Sequence, residues 1–176
     1  FELGRQLIGY EVQKVLAAVD WFSKEAGKET AKIGVVGYGE GGMLALYAGA
    51  LDARIKAVCV SGYFGNRNRL WEQPIDRNVF GVLEQFGDAE LATMLGSRSL
   101  MIEHTEYPEV TLPGQGGAPA KLQAVSNEEF SGEQDRMDRL RLEFIGGRRN
   151  PYPNWSKAPG QPFVSGFLST FLKKVG

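Results

Sequence analysis

The pattern of apolar and polar residues alternates between short apolar runs and longer stretches with helical spacing. Apolar residues recur every three or four positions in residues 8–22, which predicts an amphipathic helix that Gly27 is placed to end. Residues 40–51 are apolar on nearly every face and predict a buried helix. Continuous apolar runs predict buried strands at residues 32–36, 54–61 and 99–103. Strand, helix and strand with short connections predict a right-handed parallel βαβ unit.

The second half of the chain continues this alternation. Residues 79–86 predict a helical patch, and residues 88–95 predict a short helix with Asp88 as its N-cap and Gly96 after its end. Residues 108–124 shift to Pro, Gly, Gln and Ala without periodicity, which predicts a flexible loop or an insertion. A charged helix, a fourth strand, a proline-rich loop and a final amphipathic helix are predicted at residues 127–140, 141–145, 146–161 and 162–175.

A glycine cluster joins the first predicted strand to the buried helix. Four glycines fall within the six residues 37–42. Gly37, Gly39 and Gly42 spell G-x-G-x-x-G, the dinucleotide-binding fingerprint. The same residues overlay G-x-S-x-G-G, the nucleophile elbow of serine hydrolases, with Gly39 at the position of the serine. Both interpretations require a sharp turn between a strand and a helix.

The dinucleotide interpretation makes two further demands. An acidic residue that binds the ribose is expected about 20 positions after the glycines, yet no Asp or Glu lies between Ala53 and Trp71. Glu40 would also stand where the pyrophosphate must approach a helix N-terminus. Arg67 and Arg69 could accept a 2′-phosphate, so a nucleotide-binding module using this turn stays an alternative.

The sequence on both sides of the elbow resembles the acetyl xylan esterase and dienelactone hydrolase-like branch of the α/β-hydrolases. The resemblance rests on residues 8–22, the elbow and residues 48–63, and it extends over about residues 1–110. It implies an α/β fold, a mostly parallel sheet with flanking helices in a partial α/β-hydrolase fold of three α/β/α layers. It further implies that residues 1–176 are the C-terminal portion of one such domain. An ester or a carbohydrate-derived small molecule is the implied ligand, and similarity to secreted carbohydrate esterases favours an extracytoplasmic location.

The resemblance also assigns places to a catalytic triad, and this chain fills them incompletely. Gly39 has no nucleophile, whereas the backbone N–H of Glu40 would belong to the oxyanion hole. The acid is expected at Glu106 or Glu109, after the third strand. The histidine is expected in residues 146–162, which contain none, and the only histidine, His104, lies in the neighbourhood of the acid.

Because the nucleophile and the histidine are missing from their expected places, we expect a homologue that lacks a working Ser-His-Asp triad. Such a protein would act in binding or as a structural domain. An ester hydrolase whose catalytic groups have moved to positions such as Glu40 and His104 is the first alternative. The aromatic and basic segment 62–74 follows a strand's carboxyl end, so it forms either a pocket wall or a loop whose aromatic residues pack on the core.

Composition and charge argue against several classes of protein and of binding site. The 176 residues are 43% hydrophobic and 23% charged, as in one ordinary globular domain or a part of one. The net charge of −1 provides no electrostatic basis for nucleic-acid binding, and no apolar run of about 18 residues predicts a membrane span. The single cysteine, Cys59, falls in an apolar strand, so neither a disulfide framework nor a zinc site is expected. No cofactor or metal is predicted, and the oligomeric state is undetermined.

Overall fold

The computed structural model describes residues 5–25, 32–112, 120–145, 154–158, 162–163 and 165–175. The helices in these residues are α1 (Leu7–Glu25), α2 (Glu40–Leu51), α3 (Asp88–Met94), α4 (Asn127–Ile145) and α5 (Ser165–Val175). The strands are β1 (Ile33–Tyr38), β2 (Ile55–Ser61), β3 (Ser99–Thr105), β4 (Val110–Thr111), β5 (Lys121–Leu122) and β6 (Asn154–Ala158). Three short 3-10 turns lie between β2 and α3, at Leu70–Glu72, Ile75–Arg77 and Val82–Glu84.

A four-stranded parallel sheet forms the centre of the fold, in the order β1, β2, β3, β6. Val58 in the middle of β2 lies opposite Val35 of β1 and Leu100 of β3. The predicted parallel arrangement of the first three strands is confirmed. Because the strands run in one direction, their carboxyl ends meet at one edge of the sheet, where open α/β sheets bind ligands.

Helices cover both faces of this sheet. Val58 and Val60 of β2 pack in one apolar core with residues of α1 to α4. The alternate residues Ala57 and Cys59 point to the other face, where they pack against Phe167 and Phe171 of α5. Full burial of a large apolar side chain contributes about 1.5–3 kcal/mol, so both cores hold the helices on the sheet. The predicted three-layer α/β/α class is confirmed.

The predicted fourth strand at residues 141–145 is wrong, because these residues are the last turns of α4. The apolar run there is short enough to fit either a strand or a helix end, and the charged residues before it carry the helical spacing through to Ile145. The fourth strand of the sheet is β6, which lies in the segment predicted as a loop.

Other boundaries differ by a few residues. Gly87, not Asp88, is the N-cap of α3, and its N–H donates to Glu90 Oε2 at 2.7 Å. Residues 79–86 contain one 3-10 turn, and α5 begins at Ser165. Within residues 108–124, β4 and β5 pair antiparallel. Gly27 and residues 113–119 lie outside the described residues.

No helix in the described part of the chain is both long and apolar enough to cross a membrane.

Candidate functional site

The glycine turn connects β1 to α2 as the sequence predicts, with Gly39 at its apex. Gly39 has φ 53° and ψ −119°, a left-handed backbone that glycine adopts far more easily than other residues. Its N–H donates to the Ser61 carbonyl at 2.8 Å, which ties the turn to the end of β2. A side chain at Gly37 would overlap the Gly41 carbonyl, so the turn also needs glycine there. The backbone therefore has the sharp form that a nucleophile elbow requires.

The space above Gly39 is filled by Tyr107. A Cβ added to Gly39 would overlap two ring carbons of Tyr107. The Tyr107 ring packs edge-on against Tyr38 with 6.0 Å between centroids, and the Tyr38 hydroxyl donates to the Glu106 carbonyl at 2.7 Å. Tyr107 thus occupies the volume of the side chain that a nucleophile elbow would carry.

Glu40, the first residue of α2, is held by an arginine. Its carboxylate forms an ion pair with Arg77, which lies in the 3-10 turn Ile75–Arg77 and is also 3.6 Å from Glu11 Oε2 of α1. The Arg77 side chain is 15% exposed. This arginine compensates the charge of Glu40, which reduces the nucleophilicity of the carboxylate.

The two candidate acids lie on the loop after β3 and are both exposed. No described residue forms a hydrogen bond or an ion pair with the carboxylate of Glu106 or Glu109. Glu106 lines a cavity of about 370 Å³ together with His104. Neither carboxylate lines the pocket at the elbow.

His104 lies on the side of the sheet covered by α4 and does not line the pocket at the elbow. Its Nε2 is 2.9 Å from the Val125 carbonyl oxygen, and its ring stacks on Phe130 with 4.5 Å between centroids. Because a carbonyl can only accept, this contact places the proton on Nε2. The structure thus places Gly39 and Glu40 in the lining of the elbow pocket, whereas His104 and Glu106 line another cavity and Glu109 lines neither.

The pocket at the elbow, called here the elbow pocket, is small. It has a volume of about 30 Å³, close to the space of one water molecule. Its lining joins the turn, the segment after β2 and the β5 region: Gly39, Glu40, Gly62, Tyr63, Arg67, Gln73, Tyr107, Leu122, Gln123 and Val125. Four residues of the segment 62–74 line this pocket, and Tyr63 and Phe64 of the same segment also pack in the apolar core, so both of its predicted roles are seen.

A buried carboxylate at the end of β3 was not recognised as a site residue from the sequence. Glu103 is 1% exposed, and its Oε2 accepts from the Ser61 hydroxyl at 2.5 Å and from the Phe163 N–H at 2.8 Å. Glu103 connects β2, β3 and the segment before α5. The only sequence signal for Glu103 was an acidic residue at the end of an otherwise apolar strand.

The thiol of Cys59 lies near Glu103. Burial, together with the nearby Glu103, raises the pKa of Cys59 to about 12, so this thiol is unreactive.

A second buried acidic residue lies near two residues of the elbow pocket, Tyr63 and Arg67. Asp88 is 1% exposed, and its Oδ2 accepts from the Gly65 N–H at 3.3 Å. Burial raises the pKa of Asp88 to about 6, and the positive charge of Arg67 opposes this rise. The Arg67 guanidinium lies 4.7 Å from the centroid of the Tyr63 ring. Among the described residues, no group of three or more His, Cys, Asp or Glu side chains is arranged to hold a metal ion.

Residues 1–111 match the sequence model of the dienelactone hydrolase family. The chain belongs to the dienelactone hydrolase family. This match extends through α1, the elbow, β2, β3 and the loop that carries Tyr107, so the residues around Gly39 lie within the family region. No curated protein and no solved structure matches the chain.

Proposed function

We propose that this member of the dienelactone hydrolase family binds a small molecule beside the elbow and does not turn over esters as a serine hydrolase. The observation that carries the proposal is the Tyr107 ring over Gly39. The position that would hold a nucleophile lacks a side chain, and an aromatic ring fills the space such a side chain would need.

The neighbouring groups support the same conclusion. Glu40 is paired with Arg77, and His104, which does not line the elbow pocket, is hydrogen-bonded to the Val125 carbonyl. Burial raises the pKa of Tyr107 above its usual value, so its phenol stays protonated at neutral pH and is a poor nucleophile. Placement in the acetyl xylan esterase-like branch, with an ester or carbohydrate-derived ligand, is part of this proposal and rests on the sequence resemblance.

The test is hydrolysis of p-nitrophenyl acetate by the unaltered protein, by Gly39→Ser and by Gly39→Ser/Tyr107→Ala. We expect no turnover above background from the first two. The double variant makes room for the serine, yet no histidine lines the pocket to remove its proton. When a triad acts as a unit, only about 10³ to 10⁴ over water remains after one member is lost, so the gain should stay small.

One result would replace this proposal with the first alternative, an ester hydrolase with relocated groups. That result is hydrolysis by the unaltered protein that disappears in His104→Ala or Glu40→Gln. Lys14→Gln, an exposed substitution on α1, is the matched control and should have no effect.

A further inference from the structure

Arg67 lies between three pockets. The first is the elbow pocket, the second is a polar pocket of about 40 Å³, and the third is an open groove of about 340 Å³. This groove, called here the Trp71 groove, is lined by Arg67, Asn68, Leu70, Trp71, Asn78, Val79, Phe80, Gly81, Leu83 and Glu84. A ligand in the groove would therefore meet the guanidinium at the end nearest the elbow.

Within the described residues, most donors of this guanidinium have no acceptor. There Arg67 makes one long hydrogen bond, from Nη2 to Gln73 Oε1 at 3.5 Å, and lies over the Tyr63 ring. No carboxylate in the described part of the chain is within 4.0 Å of it. A guanidinium carries five N–H donors, so Arg67 can still bind an oxyanion through two of them.

Other arginines of the described chain are already engaged. Ion pairs hold Arg54, Arg69, Arg77 and Arg136, and Arg98 donates to several backbone carbonyls. Asp88 and Glu133 act on Arg67 only as nearby charges. Arg67 therefore differs from these arginines in being a partly buried residue that lines three pockets and has donors left without a carboxylate partner in the described residues.

The groove itself is apolar. Trp71 is 67% exposed, Phe80 is 82% exposed and Leu83 is 48% exposed, and all three line it. Exposed apolar surface of this kind around a concave site is typical of ligand or partner binding. Glu84 is the groove's one acidic residue, and it disfavours ligands with a second negative charge.

We propose that Arg67 and the Trp71 groove bind a monocarboxylate with an aromatic or aliphatic body, the carboxylate pairing with the guanidinium and the body covering Trp71 and Phe80. The proposal rests on the proposed function, because it names the class of small molecule bound beside the elbow, where Arg67 lines both the groove and the elbow pocket. It requires no movement of Tyr107, since Tyr107 does not line the groove.

The probe for the test is 4-phenylbutanoate, and its matched neutral analogue is 4-phenylbutanamide. Both are titrated into the unaltered protein while Trp fluorescence and two-dimensional NMR shifts are recorded. We expect saturable binding of the acid in the millimolar range and binding at least about tenfold weaker for the amide, because a charge-assisted hydrogen bond contributes that much. Equal binding of acid and amide would overturn the proposal, as would no saturation by the acid.

Variants locate the site. Arg67→Gln should weaken binding of the acid by about tenfold or more, and Trp71→Ala should weaken binding of both probes. Arg69→Gln is the control, because Arg69 pairs with Glu72 and does not line the groove. An equal loss in Arg67→Gln and Arg69→Gln would contradict the assignment. If circular dichroism shows that Arg67→Gln does not fold, the test rests on two other results. These are the comparison of the acid with the amide and the effect of Trp71→Ala on binding.

The two proposals fail in different ways. Hydrolysis of p-nitrophenyl acetate by the unaltered protein would overturn the proposed function without affecting the titration of 4-phenylbutanoate. Absence of probe binding would overturn the ligand class while leaving the lack of turnover in place.

Discussion

Gly39 and Tyr107 are complementary in shape, since the ring lies in the space that any side chain at position 39 would need. Two separate costs therefore oppose replacement of this glycine. A positive φ of 53° strains an L-residue, and the added Cβ must displace an aromatic ring. Gly81 offers a matched comparison, because its φ is 73° but nothing lies within 4 Å of an added Cβ.

We predict that Gly39→Ala loses more stability than Gly81→Ala. Backbone strain alone should lower the free energy of unfolding of Gly81→Ala by about 1 kcal/mol, and overpacking should add about 1–3 kcal/mol at Gly39. Urea unfolding measures both. In a Tyr107→Ala background the additional loss at Gly39 should largely disappear, as a double-mutant cycle detects. Equal losses at the two glycines, or no coupling to Tyr107, would show that the ring does not occupy this space.

The pKa of the Asp88 carboxyl is shifted in the opposite direction from that of most carboxyl groups in folded proteins. Folding normally lowers the pKa of a paired carboxyl, whereas burial raises that of Asp88 to about 6. The unfolded value is about 3.9, so the folded state binds the proton more tightly. Stability from this group is therefore fully present below about pH 4 and is lost as pH rises to about 6.

We predict that Asp88→Asn removes this pH dependence. The difference in free energy of unfolding between the unaltered protein and Asp88→Asn should shift by about 2 kcal/mol against the unaltered protein from pH 4 to pH 7. Asparagine keeps an oxygen that can accept from the Gly65 N–H, so the hydrogen bond between α3 and the segment after β2 should be preserved. Urea unfolding at several pH values gives the comparison. A difference that is constant with pH, or that grows in favour of the unaltered protein as pH rises, would mean that Asp88 is not buried as described.

The pattern of apolar residues was sufficient to assign a helix or a strand where a single hydrophobic periodicity dominated the segment. The apolar runs of β1, β2 and β3 and the uniformly apolar α2 are short, bounded by turn residues and easily assigned. Residues 141–145 could not be assigned in this way, because five residues cannot distinguish a strand from the last turns of a helix. β6 was missed because its sequence, NWSKA, has few of the residues that favour a buried strand, and it depends on pairing with β3.

Arg77 links three elements that are far apart in sequence. It pairs with Glu40 at the start of α2, contacts Glu11 of α1, and itself lies in a 3-10 turn. With a side chain that is 15% exposed, this pair is screened less by solvent than a surface pair. Removing the arginine would leave two carboxylates near each other without a cation.

We predict that Arg77→Gln lowers the free energy of unfolding by about 1–2 kcal/mol, between the values typical of surface pairs and of broken buried pairs. Arg69→Gln, which breaks the exposed pair with Glu72, should cause a smaller loss. Adding Glu40→Gln to Arg77→Gln should restore part of the stability, because it removes one uncompensated charge. Urea unfolding of the four proteins provides the test, and losses at Arg77 no larger than those at Arg69 would refute the linking role.

At the scale of the whole molecule, the site is built from parts that the linear sequence does not relate. The turn at Gly39 was predictable from glycine spacing, but the contact of Tyr107 with it depends on β1 and β3 both being paired with β2. The position of Arg67 between the elbow pocket and the Trp71 groove likewise depends on the path of the long connection after β2. These contacts join residues dozens of positions apart, so no periodic pattern encodes them.

The groups around the glycine turn argue against the alternative that this protein binds a nucleotide. A dinucleotide places its pyrophosphate on the N-terminus of the helix after the glycine turn, where this protein has the Glu40 carboxylate and, above Gly39, the Tyr107 ring. The end of β2 continues as Ser61, Gly62 and Tyr63, without an acidic residue for the ribose.

We therefore predict that neither NAD nor NADP binds with micromolar affinity. Titration calorimetry should give no saturable heat for either dinucleotide, because the phosphates would meet a carboxylate and an aromatic ring where they need free N–H groups. A micromolar dissociation constant for NADP that weakens in Arg67→Gln would contradict this prediction, since Arg67 was the sequence's candidate for a 2′-phosphate contact. Micromolar binding of NAD would contradict it equally, and would require the Tyr107 ring to leave the space above Gly39.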